Sequence, residues 1–164
     1  MNTPFLIGKK SILRPVQLSD VPLFTKWMND PDTRKYLLRR FPITELEEKN
    51  WTEKVGTLSG TPTNLVMVIE TKKNHRPIGT MGLHSISWVD RNAVTGSLIG
   101  EKDYRGKGYA GDAKMALLQY AFETLGLHKI ISKAFAKNTA SIEYSKCCGY
   151  KVEAVHTEEI FSNG

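Results

Sequence analysis

The stretch from Leu98 to Leu125 limits what this chain can fold into more than any other. A short apolar run, Ser97-Leu98-Ile99, ends at Gly100, and a polar and aromatic segment leads into Arg105-Gly106-Lys107-Gly108-Tyr109-Ala110. From Ala110 the apolar residues fall at Ala113, Ala116, Leu117, Tyr120 and Ala121, the i, i+3, i+4 spacing of one helix face. The order is therefore strand, glycine-rich turn, helix. Glycines let a backbone approach a ligand closely, and the N–H groups of a helix's first turn have no partner inside the helix. With the helix dipole and the side chains of Arg105 and Lys107, the stretch predicts a cradle for an anion, most simply a phosphate.

Three phosphate-binding motifs compete for these residues. Gly106-x-Gly108-x-x-Gly111 matches the dinucleotide fingerprint literally. That fingerprint needs a turn directly off a strand and an acidic residue about 20 positions later. Here Glu101 to Arg105 intervene, and the later strand Lys129-Ile130-Ile131-Ser132-Lys133 carries no acid. A P-loop fails because Gly100 is one residue too far from Gly106-Lys107, and Gly108 stands where Ser or Thr must hold magnesium. The third reading fits best. Arg105-x-x-Gly108-x-Ala110 resembles the Arg/Gln-x-x-Gly-x-Gly/Ala motif of the GNAT N-acetyltransferase superfamily, which cradles the pyrophosphate of acetyl-CoA. Asn138-x-x-Ser141-x-x-Tyr144 and Gly149-Tyr150 follow at the spacing that family uses, and the resemblance runs from Leu13 to Gly164.

Composition narrows the alternatives. A chain of 164 residues is long enough for one domain with a substantial core, and 40% hydrophobic with 24% charged residues is ordinary for a globular protein. No stretch approaches the ~18 apolar residues of a membrane span, and Met1-Asn2-Thr3-Pro4 opens no signal peptide, so no membrane association is expected. The cysteines, Cys147 and Cys148, are adjacent, which offers neither a disulfide framework nor a metal-ligand spacing and points to a reducing cytoplasm and no metal. The net charge of +6 is scattered, its tightest cluster being Arg34-Lys35 and Arg39-Arg40. Nucleic-acid binding needs a clustered basic face, so none is expected, and a highly phosphorylated cofactor accounts for part of the charge.

Read in order, Ser11 to Pro15 is a first strand, and Asp20 caps a helix with Pro22 in its first turn, ending at Asn29-Asp30-Pro31. The group Trp27-x-Asn29-Asp30-Pro31 resembles the branch of the family that includes ribosomal-protein N-terminal acetyltransferases. Thr44-x-x-Glu47 is a capping box that starts a second helix running to about Leu58, and Ser59-Gly60-Thr61-Pro62 is a turn. Leu65 to Ile69 reads as a strand covered on both faces, followed by strands at Ile78–Trp88 and Ala93–Gly100 joined by short turns and so antiparallel. Ile78, Thr80, Gly82, His84, Ile86 and Trp88 alternate and should share one face. Gly126 stops the long helix, Lys129–Phe135 is a parallel strand, Asn138 caps a short helix to Cys147, and Tyr150–Ile160 is a last strand.

The resemblance implies a site. Cofactor grip falls to Leu98, Ile99 and Gly100 at the strand end, to the backbone of Arg105, Gly106, Lys107, Gly108, Tyr109 and Ala110, and to Asn138 and Ser141. Tyr144 occupies the position of the tyrosine that protonates the departing thiolate, and a phenol of pKa near 10 is able to do so. Many members carry a basic glutamate where this chain has Thr95, which cannot serve. Glu101 and Asp103 fall on the cofactor loop, His84 is the better-placed candidate with a suitable pKa, and the base stays unassigned; His75, His128 and His156 read as structural.

The expected fold is α/β (α+β): a mixed, mostly antiparallel GNAT-like sheet of six to seven strands, splayed where the cradle begins, with about four helices, two on each side. The expected function is transfer of acetyl from acetyl-CoA to a primary amine of a small molecule or a protein N-terminus. The alternatives are a non-catalytic acyl-CoA sensor and a dinucleotide-dependent oxidoreductase. Asn163-Gly164 is a preferred hairpin turn that ordinarily announces a further strand. The family's usual last strand would insert between those beginning near Lys129 and Tyr150, so the expectation is an incomplete sheet, or one closed by a second copy in a homodimer.

Overall fold

The structure, a computed structural model, describes residues 3–58 and 60–161. A six-stranded sheet runs in simple order, β1 (Leu6–Ile7), β2 (Ser11–Pro15), β3 (Leu65–Thr71), β4 (Pro77–Ser87), β5 (Asn92–Ile99) and β6 (Lys129–Ser132). All neighbours are antiparallel except β5 and β6, which are parallel, as a strand–helix–strand passage requires. This is not the parallel sheet to which a dinucleotide fingerprint belongs. The helices are α1 (Val21–Asn29), the single turn α2 (Pro31–Arg34), α3 (Glu45–Gly56), α4 (Tyr109–Gln119, continued by a wider turn at Tyr120–Thr124) and α5 (Thr139–Cys147).

The apolar run of β3 is covered on both faces. Met67 and Ile69 join Leu83, Ala93 and, from α4, Ala113 and Leu117, whereas Val66 and Val68 join Phe24 and Trp27 of α1. Leu117 is fully buried, a gain of about 1.5–3 kcal/mol over leaving it exposed. Helices α1 and α3 thus cover one face of the sheet, and α4 with α5 the other.

Several expectations are corrected. Thr80, Gly82 and His84 keep their alternation on β4, but Ile78 and Ile86 belong to the α4-side core. The register slips at both places, between Ile69 and Glu70 opposite Ile78 and again between His84 and Ser87, where Ser85 takes a φ of 49°. A bulge carries an extra residue and turns the strand over. Asp20 precedes α1, but its carboxylate caps no amide of that helix. It takes Arg14 instead, whose guanidinium is buried and shared with Glu70, because a buried charge must be paired. Half of the α3 capping box forms: Thr44 Oγ1 accepts from the Glu47 amide at 3.1 Å, while the Glu47 carboxylate turns to Arg39.

Strand β6 stops at Ser132, short of Phe135, whose ring packs 6.4 Å from that of Tyr36. The expected strand Tyr150–Ile160 does not form. A strand needs a hydrogen-bonding neighbour. Residues 151–161 have only surface ties such as Lys129 to Glu153 at 2.8 Å and Lys133 to Glu159 at 3.5 Å, and leave Val152 and Val155 exposed. Exposed ion pairs contribute too little to order a strand. Among the described residues no strand pairs with the outer edge of β6. Ser59 and the Asn163-Gly164 turn lie outside the described residues.

Candidate active site

The end of β5 is where the site begins. Pairing with β6 stops at Thr95 and Ser132, but β5 runs on to Ile99 against β4, so its outer edge is open from Gly96 onward. The Gly100 amide donates to Ile78 O at 2.9 Å. Alternation along the ladder then turns the amides of Leu98 and Gly96 the same way, toward β4, and those of Ser97 and Ile99 toward the open edge. Of the expected strand-end contacts, Ile99 is thus available to a ligand, whereas the amides of Leu98 and Gly100 are already paired within the sheet.

Gly100 is packed beneath Trp27: a Cβ there would sit 2.2 Å from the indole. The indole N–H donates to Glu101 Oε1 at 2.8 Å, and Arg76 and Lys26 reach the same carboxylate at 2.7 and 3.1 Å. Led by the Trp27 hydrogen bond, and against the cost of burial, these hold Glu101 down at about 2, which makes it a weak base. Arg105 turns back from the cradle. Its Nε donates to Ile99 O at 2.9 Å and its Nη2 to Thr33 Oγ1 at 2.7 Å, stapling the loop to β5 and α2.

The expected cradle falls on the loop itself. Gly106 and Gly108 have φ of 70° and 79°, a left-handed conformation that side chains resist, and open space lies where a Cβ of Gly106 would be. The first amide of α4 to bond back is that of Asp112, to Gly108 O at 3.1 Å. The amides of Tyr109, Ala110 and Gly111 before it have no partner within the helix, and successive amides of this kind make an anion-binding concavity.

A cation that sequence reasoning missed lies beside this loop. The Lys10 ammonium donates to Lys107 O at 2.8 Å, lies 3.6 Å from the Cβ position of Gly108 and stands over the Tyr109 ring at 5.1 Å. Asp112 holds it there, accepting from the amides of Lys9, Lys10 and Ser11 at 2.9–3.0 Å and from the Ser11 hydroxyl. Burial would raise the Asp112 carboxyl, but these hydrogen bonds outweigh it and keep it below its usual range. Strand β1 is two residues long and carries no legible periodicity, so nothing in the sequence brings Lys10 to this loop.

On the α4 side of β5, Tyr144 of α5 hydrogen-bonds through its hydroxyl to Ser97 Oγ, beside the open edge. Burial pushes the phenol above its usual range, with the Ser97 bond acting against it. Thr95, in the position of the family's glutamate, is engaged structurally, donating to Ile131 O at 3.2 Å and bonding the Tyr150 hydroxyl at 3.0 Å. Asn138 and Ser141 are brought together by the α5 cap, the Asn138 side chain accepting from the Ser141 amide at 3.2 Å. A cation not singled out in the sequence, Lys114, is 1% exposed on α4 and lies against Tyr144 and Tyr150.

His84 stands on the opposite face, against Gly96, where a Cβ would lie 3.0 Å from its Nε2. Burial pushes the imidazole below its usual value. It lines a recess of about 150 Å³ with Trp51, Lys54, Val55, Asn64 and Val66. His84 and Tyr144 therefore reach adjacent residues of β5, Gly96 and Ser97, from opposite faces of the sheet. Among the described residues no three side chains are grouped as metal ligands, and no helix is long and apolar enough to cross a membrane.

Comparison with known proteins bears on the family and the fold. The family model described as an acetyltransferase (GNAT) domain matches residues 10–151. An uncharacterised N-acetyltransferase, p20, of Bacillus licheniformis is 26% identical over 92% of this chain and 84% of its own. The fold is similar to that of spermidine N-acetyltransferase from Vibrio cholerae in complex with CoA and spermine, with a TM-score of 0.85 at 24% identity over 96% of this chain and 90% of that one. A ribosomal-protein-serine acetyltransferase structure from the same organism gives 0.77 at 15% identity over 98% and 91%.

Proposed function

Because the chain belongs to the GNAT acetyltransferase family, we propose that it transfers the acetyl group of acetyl-CoA to a primary amine of a small molecule or a protein N-terminus. The observation that carries this reading is the pair of left-handed glycines before α4, followed by helix amides with no partner inside the helix and flanked by the Lys10 ammonium beside Gly108. The residues fit the cosubstrate. Gly106 to Gly111 would hold the phosphates, Lys10 and Lys107 would neutralise them, and the open edge from Gly96 to Ile99 would take the extended arm by strand-like pairing. Asn138 and Ser141, at the head of α5, would flank it.

Acetyl-CoA supplies the activated thioester that the amine attacks. The outward amides of Ser97 and Ile99 stabilise the oxygen that gains charge in that attack. Tyr144 gives its hydroxyl proton to the departing sulfur. The amine enters from the opposite face, through the recess, and His84 takes its proton: an imidazole held neutral by burial is competent at pH 7. The recess carries Lys54 and no carboxylate, which suits an acceptor with a single amine next to apolar surface better than a polycation such as spermidine. The free Cys147 and Cys148 fit a reducing cytoplasm.

The test is release of CoA thiol from acetyl-CoA across a library of primary amines, including polyamines, amino sugars and short peptides with free N-termini. Turnover with at least one amine is expected, with mono-amines preferred over spermidine. No amine-dependent release from any of them, with acetyl-CoA still bound, would leave a binding protein and remove the transferase reading.

A further inference from the structure

Lys114 has no conventional reason to be where it is. It sits on α4 with Ala110 and Leu118 one turn away, against residues of α5, and is 1% exposed. Among the described residues it makes no ion pair with a carboxylate, and its one hydrogen bond goes to Ser145 Oγ at 3.4 Å. A buried, unpaired ammonium is costly, and a leucine or methionine would fill the space without that penalty. What surrounds it is aromatic. Its Nζ lies 4.3 Å from the ring centroid of Tyr144 and 4.7 Å from that of Tyr150, within range for a cation held against both ring faces.

Building on the reading of Tyr144 as the leaving-group acid, we propose that Lys114 is a positioning residue for that step, its ammonium stabilising the phenolate that Tyr144 becomes. When the C–S bond of the collapsing tetrahedral adduct breaks, the sulfur leaves with the electron pair. The Tyr144 O–H bond then breaks, an S–H bond forms, and the negative charge moves to the phenol oxygen, which water later reprotonates. That charge develops in a buried place where desolvation opposes it. An adjacent cation opposes that penalty, as does the Ser97 hydroxyl bonded to the same oxygen.

The other titratable groups facing Lys114 are Cys148 of α5 and Tyr150 beyond it; Tyr150 is held by Thr95 of β5, and the Cys148 thiol donates to Gly111 O at 3.8 Å. Cys148 and Tyr150 are both pushed up by burial and stay neutral at pH 7, which leaves Lys114 as the charged member of the group. Burial brings the ammonium itself down to about 8, with Cys148 acting slightly against it, so its help should fade as pH rises through that value.

The experiment is single-turnover acetyl transfer from pH 6 to 10 in wild type, Lys114→Met, Tyr144→Phe and the double variant, with Lys114→Gln as a second replacement in case the methionine variant does not fold. At pH 7 Lys114→Met should lower the rate about 10-fold with acetyl-CoA affinity unchanged, and the wild-type decline above pH ~8 should disappear. In the Tyr144→Phe background the same change should have no further effect. A rate unchanged in both Lys114 replacements beside an impaired Tyr144→Phe, or an equal loss with and without the phenol, overturns this inference alone. A Tyr144→Phe variant with the wild-type rate overturns the acid reading beneath it.

Discussion

The amide of Lys10 donates to Asp112 at 3.0 Å while its ammonium reaches the carbonyl of Lys107 at 2.8 Å, so the turn between β1 and β2 is tied both to the glycine loop and to the first turn of α4. An acidic residue in the first turn of a phosphate-binding helix would ordinarily oppose the ligand's charge. Here its carboxylate is used up on three amides and a hydroxyl, and it delivers a cation instead.

Asp112→Asn should therefore weaken both the fold and the cosubstrate site. Hydrogen bonds to a charged acceptor suggest a loss of about 1–2 kcal/mol at pH 7 in urea unfolding, with the acetyl-CoA KM raised several-fold and kcat little changed. The carboxyl is depressed in the folded state, so its contribution is complete above the ordinary carboxylate range and is lost as pH falls through the depressed value. The gap between wild type and variant should be full at pH 7 and close on acidification. A gap that stays constant with pH would mean the carboxylate's charge is not what holds the turn.

Tyr144→Phe should lower kcat by roughly 10²-fold with acetyl-CoA affinity nearly unchanged, since the phenol is bonded to Ser97 at the edge of the site and supports no core residue. Stopped-flow detection of released thiol reads this directly. An unchanged kcat would reduce Tyr144 to a packing role.

His84 is kept neutral by burial, so the acid limb of kcat/KM should fall below the ordinary imidazole value of about 6.5. Above the depressed value the imidazole accepts the amine's proton; below it the base is lost. His84→Gln should remove that limb and lower kcat/KM about 10²-fold. A limb that persists in the variant would assign the base elsewhere, with ordered water as the remaining route.

Much of this was legible in the sequence, and the failures have physical causes. The glycine loop, α4 and the antiparallel order of β3, β4 and β5 follow from local signals: positive-φ glycines, a 3.6-residue period and short turns. The bulges of β4 did not, because Ser85 at φ 49° leaves no mark in a run that alternates on paper. Residues 150–161 read as a strand because extended propensity is local, whereas a ladder is a property of two segments. In the candidate site, the glycines and Tyr144 were proposed from a motif. Lys10 is delivered by a two-residue strand, and the only signal for Lys114 was a charge placed between Ala110 and Leu118 on a helix face that should be apolar.

The loop before α4 is the proposed seat of acetyl-CoA, and a thermal-shift titration reads that most directly. At a ligand concentration about 100 times Kd, binding contributes ~2.7 kcal/mol, a rise of roughly 5–10 °C for a domain of this size. Acetyl-CoA and CoA should raise Tm by that amount in wild type and NAD(P) should not. In Gly108→Val, whose branched side chain must adopt a φ of 79° and fill the phosphate space, folding should persist and the CoA shift vanish. A shift with NAD(P) and none with CoA, or an undiminished CoA shift in the valine variant, would contradict the assignment.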